Sequence, residues 1–207
     1  MTDLVALRST DSAPTEPHEF LAVFLHGYGS DERDLAGLSG HLPLGLPWAS
    51  VRAPLRHPAF GFSWYPLESE FSPAEAIAEA TETLWAWVDA NVADGVRIVP
   101  IGFSQGAMMA SQLLRTRPER IGATVALSGY VSDAPRPADA ALAESRPGLF
   151  WGRGDQDPVI PAHEVTAAGD WFETHTTLER HVYPGMGHSV SEQELVDIRQ
   201  FLARTLG

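Results

Sequence analysis

The 207-residue chain has no cysteine. That excludes disulfides, thiolate metal sites and a cysteine nucleophile together, though it leaves the redox compartment open. No unbroken apolar run approaches the roughly 18 residues of a membrane span. The start, Met1-Thr2-Asp3-Leu4, has neither a basic nor an apolar segment, so no secretory leader is expected. Positive charge is scarce: 14 Lys and Arg stand against 27 Asp and Glu, a formal net charge of −13. Such a chain repels phosphate backbones and anionic lipid over long range, and no Lys/Arg cluster offers a local exception. Nucleic acid is therefore not an expected partner, and a soluble, cytoplasmic protein is the expectation. The histidines lack HExxH spacing, so no metal is expected; no phosphate-cradling glycine loop and no internal repeat are visible.

What is present is enough hydrophobic residue, 44%, to fill a core. The length suits one domain of about 100–200 residues, so residues 1–207 read as a single domain. Short apolar runs at Leu21–Leu25, Arg97–Ile101, Thr124–Leu127, Leu149–Trp151 and Leu178–Tyr183 alternate with helical patterns. Leu4–Leu7 and Trp48–Val51 are weaker strand candidates. Several runs lack polar alternation, as expected of strands covered on both faces. Ser72-Pro73-Ala74-Glu75 reads as a capping box, with Ile77, Leu84 and Val88 on the buried face of the helix it opens and Gly95 beyond its end. Pro161 opens a second helix with Val165, Ala168 and Phe172 buried. Ser191–Glu194 is a second capping box, ahead of Leu195, Ile198 and Leu202. The segment 132–147, rich in Ala, Pro and Asp, reads as a surface crossover with one short helix. Strand–helix alternation of this kind predicts an α/β fold around a mainly parallel sheet.

The sharpest signal is Gly102-Phe103-Ser104-Gln105-Gly106, placed after an apolar strand and before a helix carrying Met108, Met109, Leu113 and Leu114. G-x-S-x-G at such a junction is a nucleophile elbow: the tight turn needs glycine and lifts the serine hydroxyl to a helix N-terminus. There the Gln105 N–H can face a developing oxyanion. A serine nucleophile needs a base, and the base needs a carboxylate to orient it. Gly152-Arg153-Gly154-Asp155-Gln156-Asp157 and Pro184-Gly185-Met186-Gly187-His188 each follow a strand candidate, in the order Ser, Asp, His. Asp157 is favoured over Asp155, which could instead cap the turn or pair with Arg153. Among the other histidines, His26 directly follows a strand and suits a structural role, holding its loop by hydrogen bonds to backbone. His163 reads as a solvated residue of a helix first turn, and His41, His57, His175 and His181 lie in no motif. The His26 loop, with glycines at 27 and 29, can bend towards the nucleophile and offer the Tyr28 N–H as a second oxyanion donor.

The chain resembles the phospholipase/carboxylesterase family of small α/β-hydrolases, which includes the acyl-protein thioesterases. The matching stretches are LHGYGSDERDL at 25–35, GFSWYPL at 61–67, GFSQGAMMA at 102–110, GRGDQDPVIP at 152–161 and YPGMGHSVS at 183–191. The resemblance implies a compact α/β-hydrolase fold, helices on both faces of the sheet and little or no lid. It implies Ser104 as nucleophile, His188 as general base, Asp157 as its orienter, and Tyr28 and Gln105 as oxyanion-hole donors. Phe62, Trp64 and Tyr65, with Val159 and Met186, form the expected substrate pocket, ordinary core packing being the competing reading of the aromatic residues. Three departures stand out. Ala107 replaces a usual glycine and could push its helix from the sheet; Pro66 replaces an acidic residue; and Pro100, inside the elbow strand, is expected near the strand end or at a bulge. The resulting expectation is a cofactor-independent serine carboxylesterase acting on short- to medium-chain esters through an acyl-enzyme. Lysophospholipase or acyl-protein thioesterase activity is the alternative; a peptidase or a non-catalytic binding protein is the more distant one. The expected partner is a small ester or thioester substrate, with a homodimer possible for the family.

Overall fold

A computed structural model describes residues 4–9, 18–43, 45–57, 59–67 and 73–207. Seven strands form the main sheet in the order β1 (Ala6–Arg8), β3 (Trp48–Val51), β2 (Phe20–Leu25), β6 (Arg97–Phe103), β7 (Thr124–Leu127), β8 (Gly148–Gly154) and β9 (Thr177–Tyr183). Only the β1–β3 pair is antiparallel; every other pairing in this sheet is parallel. A separate hairpin joins β4 (Leu55–Arg56) to β5 (Phe62–Ser63). This is the expected α/β architecture, and every apolar run singled out in the sequence contributes to a strand.

The bare apolar strands are explained by two cores. Along β2, Val23 and Leu25 face one core while Ala22 and Phe24 face the other, following the two-residue alternation of a strand. The first core is closed by α1 (Pro73–Asn91), α2 (Gln105–Thr116), α3 (Asp139–Ser145) and α4 (Ala162–His175). The second is closed by α5 (Glu192–Leu206) and the 3-10 turn Leu35–His41. Helices therefore cover both faces. Ile77, Leu84 and Val88 of α1 and Val165, Ala168 and Phe172 of α4 are buried as their spacing requires, and Gly95 takes a positive φ of 87° beyond α1. The serine assigned to cap α1, Ser72, lies outside the described residues. Pro161, read as opening α4, is its N-cap, and the helix runs from Ala162.

One local expectation holds in its second form and another needs correcting. Pro100 sits in the middle of β6, paired in register with Val23 of β2. The irregularity is on its other side: Ile98 bridges Ile121 and Ile101 pairs with Val125, so three steps on β6 face four on the β7 side. That extra residue removes the need for a Pro100 donor there. The capping box of α5 is half made. Ser191 Oγ accepts the Glu194 N–H at 3.2 Å, but the Glu194 carboxylate turns inward, over Gly152 of β8.

Candidate active site

The site lies where β6, β7, β8 and β9 end. Ser104 joins β6 to α2 at φ 54°, ψ −115°, a conformation that costs a non-glycine residue about 1–3 kcal/mol. Close packing enforces the turn. A methyl group at Gly102 would lie 2.1 Å from the Gly106 carbonyl oxygen, and one at Gly106 would lie 1.9 Å from that of Leu25. The Ser104 N–H donates to the Leu127 carbonyl at 2.8 Å, tying the elbow to β7. Ala107, expected to push α2 outward, is instead accommodated: its methyl occupies the space that a side chain at Gly129 would need, 2.3 Å from that position. The Gln105 N–H, at the start of α2, has no acceptor among the described residues, and neither does the Tyr28 N–H. Both are free to meet an anion, and the first has the helix dipole behind it.

The loop carrying Tyr28 is held by buried hydrogen bonds. His26 is fully buried; its Nε2 accepts the Ala53 N–H at 3.1 Å, so its ring proton sits on Nδ1 and donates to the Gly27 carbonyl at 2.7 Å. Burial lowers its pKa and keeps it neutral, against the pull of the Gly27 carbonyl. This is the structural role expected of it. The Trp64 indole donates to the His26 carbonyl at 2.9 Å. Phe62 exchanges backbone hydrogen bonds with Gly29 and Ser30 at 2.8 and 2.7 Å, strapping β5 to the loop. Glu32, almost wholly buried, receives two hydrogen bonds from Arg52, at 2.6 and 2.7 Å, which hold its carboxyl below the usual range.

Asp157 meets His188: His188 Nδ1 lies 2.8 Å from Asp157 Oδ2. The Asp157 side chain is buried. Burial alone would raise its pKa, but hydrogen bonds from His188 and from the Val159 and Ile160 N–H groups outweigh it and hold the carboxyl below its ordinary value. Asp155 has a different task, accepting the Gly185 N–H at 2.7 Å and pinning the loop that precedes His188. The His188 ring packs on Phe103, the neighbour of Ser104, with centroids 4.8 Å apart. The Ser104 hydroxyl itself makes no hydrogen bond to His188 here; apo sites often leave this contact loose.

Beside the elbow lies a cavity of about 600 Å³, lined by Tyr65, Met108 and Tyr130 among others. Of the five residues expected to form the pocket, only Tyr65 lines it. Trp64 is buried and spends its indole N–H on the His26 carbonyl; Phe62 packs under the Arg52 guanidinium at 4.6 Å and serves through its backbone. Val159 is exposed and contributes its N–H to Asp157, while Met186 contributes its carbonyl to the Gln156 N–H. Trp64 belongs to the buried core, and Phe62, partly buried, packs against it. His163, exposed as expected, sits at the cavity rim.

Two contributors escaped the sequence reading. The Gln105 side chain, buried, accepts the Trp64 N–H and donates to the Tyr65 carbonyl, both at 2.7 Å. It clips the aromatic segment to the first turn of α2. Tyr130 places its hydroxyl 3.0 Å from that of Tyr65 on the cavity wall. A polar residue at a helix start in a tight motif was a signal for the first; nothing local marks the second.

Comparison with known proteins identifies the family and the fold. The phospholipase/carboxylesterase family pattern matches residues 11–206. An acyl-protein thioesterase 1 of Kluyveromyces lactis is 28% identical over 219 residues, covering 94% of this chain and 96% of its own. The crystal structure of esterase PE8 is 27% identical, covers 99% of this chain and 100% of its own, and superposes with a TM-score of 0.73. The carboxylesterase of Bacillus cereus, at 19% identity, shares the fold with a TM-score of 0.78 over 98% of this chain and 94% of its own. Among the described residues no helix is long and apolar enough to cross a membrane. The chain belongs to the phospholipase/carboxylesterase family of α/β-hydrolases, a family of ester hydrolases.

Proposed function

We propose that the protein is a serine carboxylesterase cutting short- to medium-chain esters through an acyl-enzyme. The observation that carries this is the part-buried Asp157–His188 hydrogen bond beside a serine held in the elbow conformation. His188 takes the Ser104 proton as Ser104 Oγ attacks the ester carbonyl. Asp157, ionised, keeps the His188 proton on Nδ1 and leaves Nε2 free to act as base. The tetrahedral oxyanion is received by the free N–H groups of Tyr28 and Gln105. His188 then protonates the leaving alcohol, and water repeats the sequence to release the acid. Thioester hydrolysis is the second reading, favoured by the thioesterases among the relatives; it needs no change in the machinery.

Hydrolysis of p-nitrophenyl esters from acetate to palmitate tests the reading, with fluorophosphonate labelling beside it. Wild type is expected to peak at short to medium chains and to label, while Ser104→Ala does neither. A fully active Ser104→Ala variant would remove the assignment.

A further inference from the structure

The cavity at the first turn of α2 carries charge of one sign. Its floor is apolar, built from Tyr65, Ile77, Met108 and Val131, but its edge holds Asp133 and Glu164. A second hollow of about 280 Å³ continues from it and shares Val131, Asp133 and Glu164, so the two carboxylates stand where the hollows meet. Neither is neutralised. Asp133 has no hydrogen-bond or ion-pair partner among the described residues, and the ion-pair partner of Glu164 is His163, 3.7 Å away and exposed. The nearby cations are committed elsewhere. Arg115 lines the second hollow, but its side chain is 2% exposed, bonded to Asp139 at 2.8 and 2.7 Å and to the Ser132 and Ala134 carbonyls, and stacked on Trp171. Arg136 donates to the Ala74 carbonyl and is not among the lining residues. The chain has no lysine whose long arm could reach in.

The two halves of an ester can be assigned to sides. The leaving group must lie at His188, which protonates it. Ser104 itself is not in the lining, but Met108 is, and its N–H donates to the Ser104 carbonyl at 3.2 Å; the cavity thus adjoins the elbow on the side away from the 184–190 loop, the side left for the acyl half. We infer that this cavity selects the acyl group by charge, accepting neutral and cationic acyl chains and rejecting anionic ones, with Asp133 and Glu164 as the specificity-determining residues. The inference rests on the esterase reading above. An anionic acyl tail entering the cavity meets the carboxylates of Asp133, which is exposed, and of Glu164, 37% exposed beside His163; like charges at such a rim repel at low ionic strength and are screened by added salt.

Three 4-nitrophenyl esters of matched acyl length test this, ending in a methyl, a carboxylate or a trimethylammonium group. At low salt, kcat/KM for the carboxylate ester is expected to be lower than for the methyl ester by roughly tenfold or more, with the trimethylammonium ester at least equal to the methyl one. In Asp133→Asn/Glu164→Gln the anionic-to-neutral ratio is expected to return to within about twofold of unity. Raising salt should narrow the wild-type gap, because the Debye length falls from about 30 Å at 0.01 M to about 3 Å at 1 M. Equal wild-type rates on the anionic and neutral esters would overturn the inference and leave the esterase reading standing. A gap unchanged in the double variant would do the same. If the double variant does not fold, the wild-type salt series decides, and a salt-insensitive gap overturns the inference. No hydrolysis of any ester, with Ser104 unlabelled by fluorophosphonate, removes both readings.

Discussion

Glu194 is buried at the start of α5 with neither carboxylate oxygen in a hydrogen bond. It lies over Gly152, where even a methyl group would sit 2.0 Å from its Oε1, so the absence of a side chain on β8 is what admits it. Burial pushes its carboxyl from an ordinary 4.5 up to about 7; the approach of the Ser191 N–H opposes this and the nearby Asp197 adds to it. Below pH 4.5 both folded and unfolded chains hold this proton. Between 4.5 and 7 only the folded chain does, so stability declines as the pH rises through that window and levels off above it. At about 1.4 kcal/mol per pH unit the full loss is about 3 kcal/mol. Glu194→Gln keeps the shape and removes the titration. Urea unfolding of both proteins is expected to show the variant gaining about 2–3 kcal/mol on wild type between pH 5 and pH 8. Parallel stability curves across that range would mean that the carboxylate is partnered in solution, and would refute the argument.

Three further outcomes follow from the site. Asp157→Asn should fold normally yet lose kcat on the order of 10³–10⁴-fold, because the amide leaves His188 in the wrong tautomer; pre-steady-state kinetics with p-nitrophenyl acetate would read this as slowed acylation. Gln105→Ala leaves the Trp64 N–H and Tyr65 carbonyl unpaired, so thermal unfolding should report a loss of about 1–3 kcal/mol, with KM shifting as the cavity wall loosens. Gly129→Ala should destabilise by about 1–3 kcal/mol through its clash with the Ala107 methyl, and Ala107→Gly should relieve it in the double variant; additive effects would show that the two positions do not share that space.

The strands were legible because the sheet is buried on both faces. A run such as Phe20–Leu25 has no polar positions to alternate with, and that bareness is itself the sign of helices above and below. The elbow and the Asp157–His188 pair were legible because each belongs to a local motif whose backbone demands particular residues, Gly102 and Gly106 above all. The hairpin of β4 and β5 was not. Two residues per strand carry no period, and it exists because Phe62 is strapped to the loop after β2.

The pocket shows the limit most clearly. An aromatic residue in a motif reads alike whether it lines a cavity or fills a core, and the difference between Trp64 and Tyr65 lies in which way each hydrogen bond points. The Trp64 indole turns in to the His26 carbonyl, while the Tyr65 hydroxyl meets Tyr130 across the cavity. Tyr130, Asp133 and Glu164 come from segments with no motif, after β7 and in the first turn of α4, and only the parallel order of the sheet gathers them into one cavity with Met108 of α2. The chemistry of bond cleavage is therefore written locally, in short stretches that any single sequence displays. On the reading proposed above, the choice of acyl group rests on side chains that meet only after folding. That is why a reading from sequence reaches the reaction before the substrate, and why charge-matched esters separate the two where further motif analysis would not.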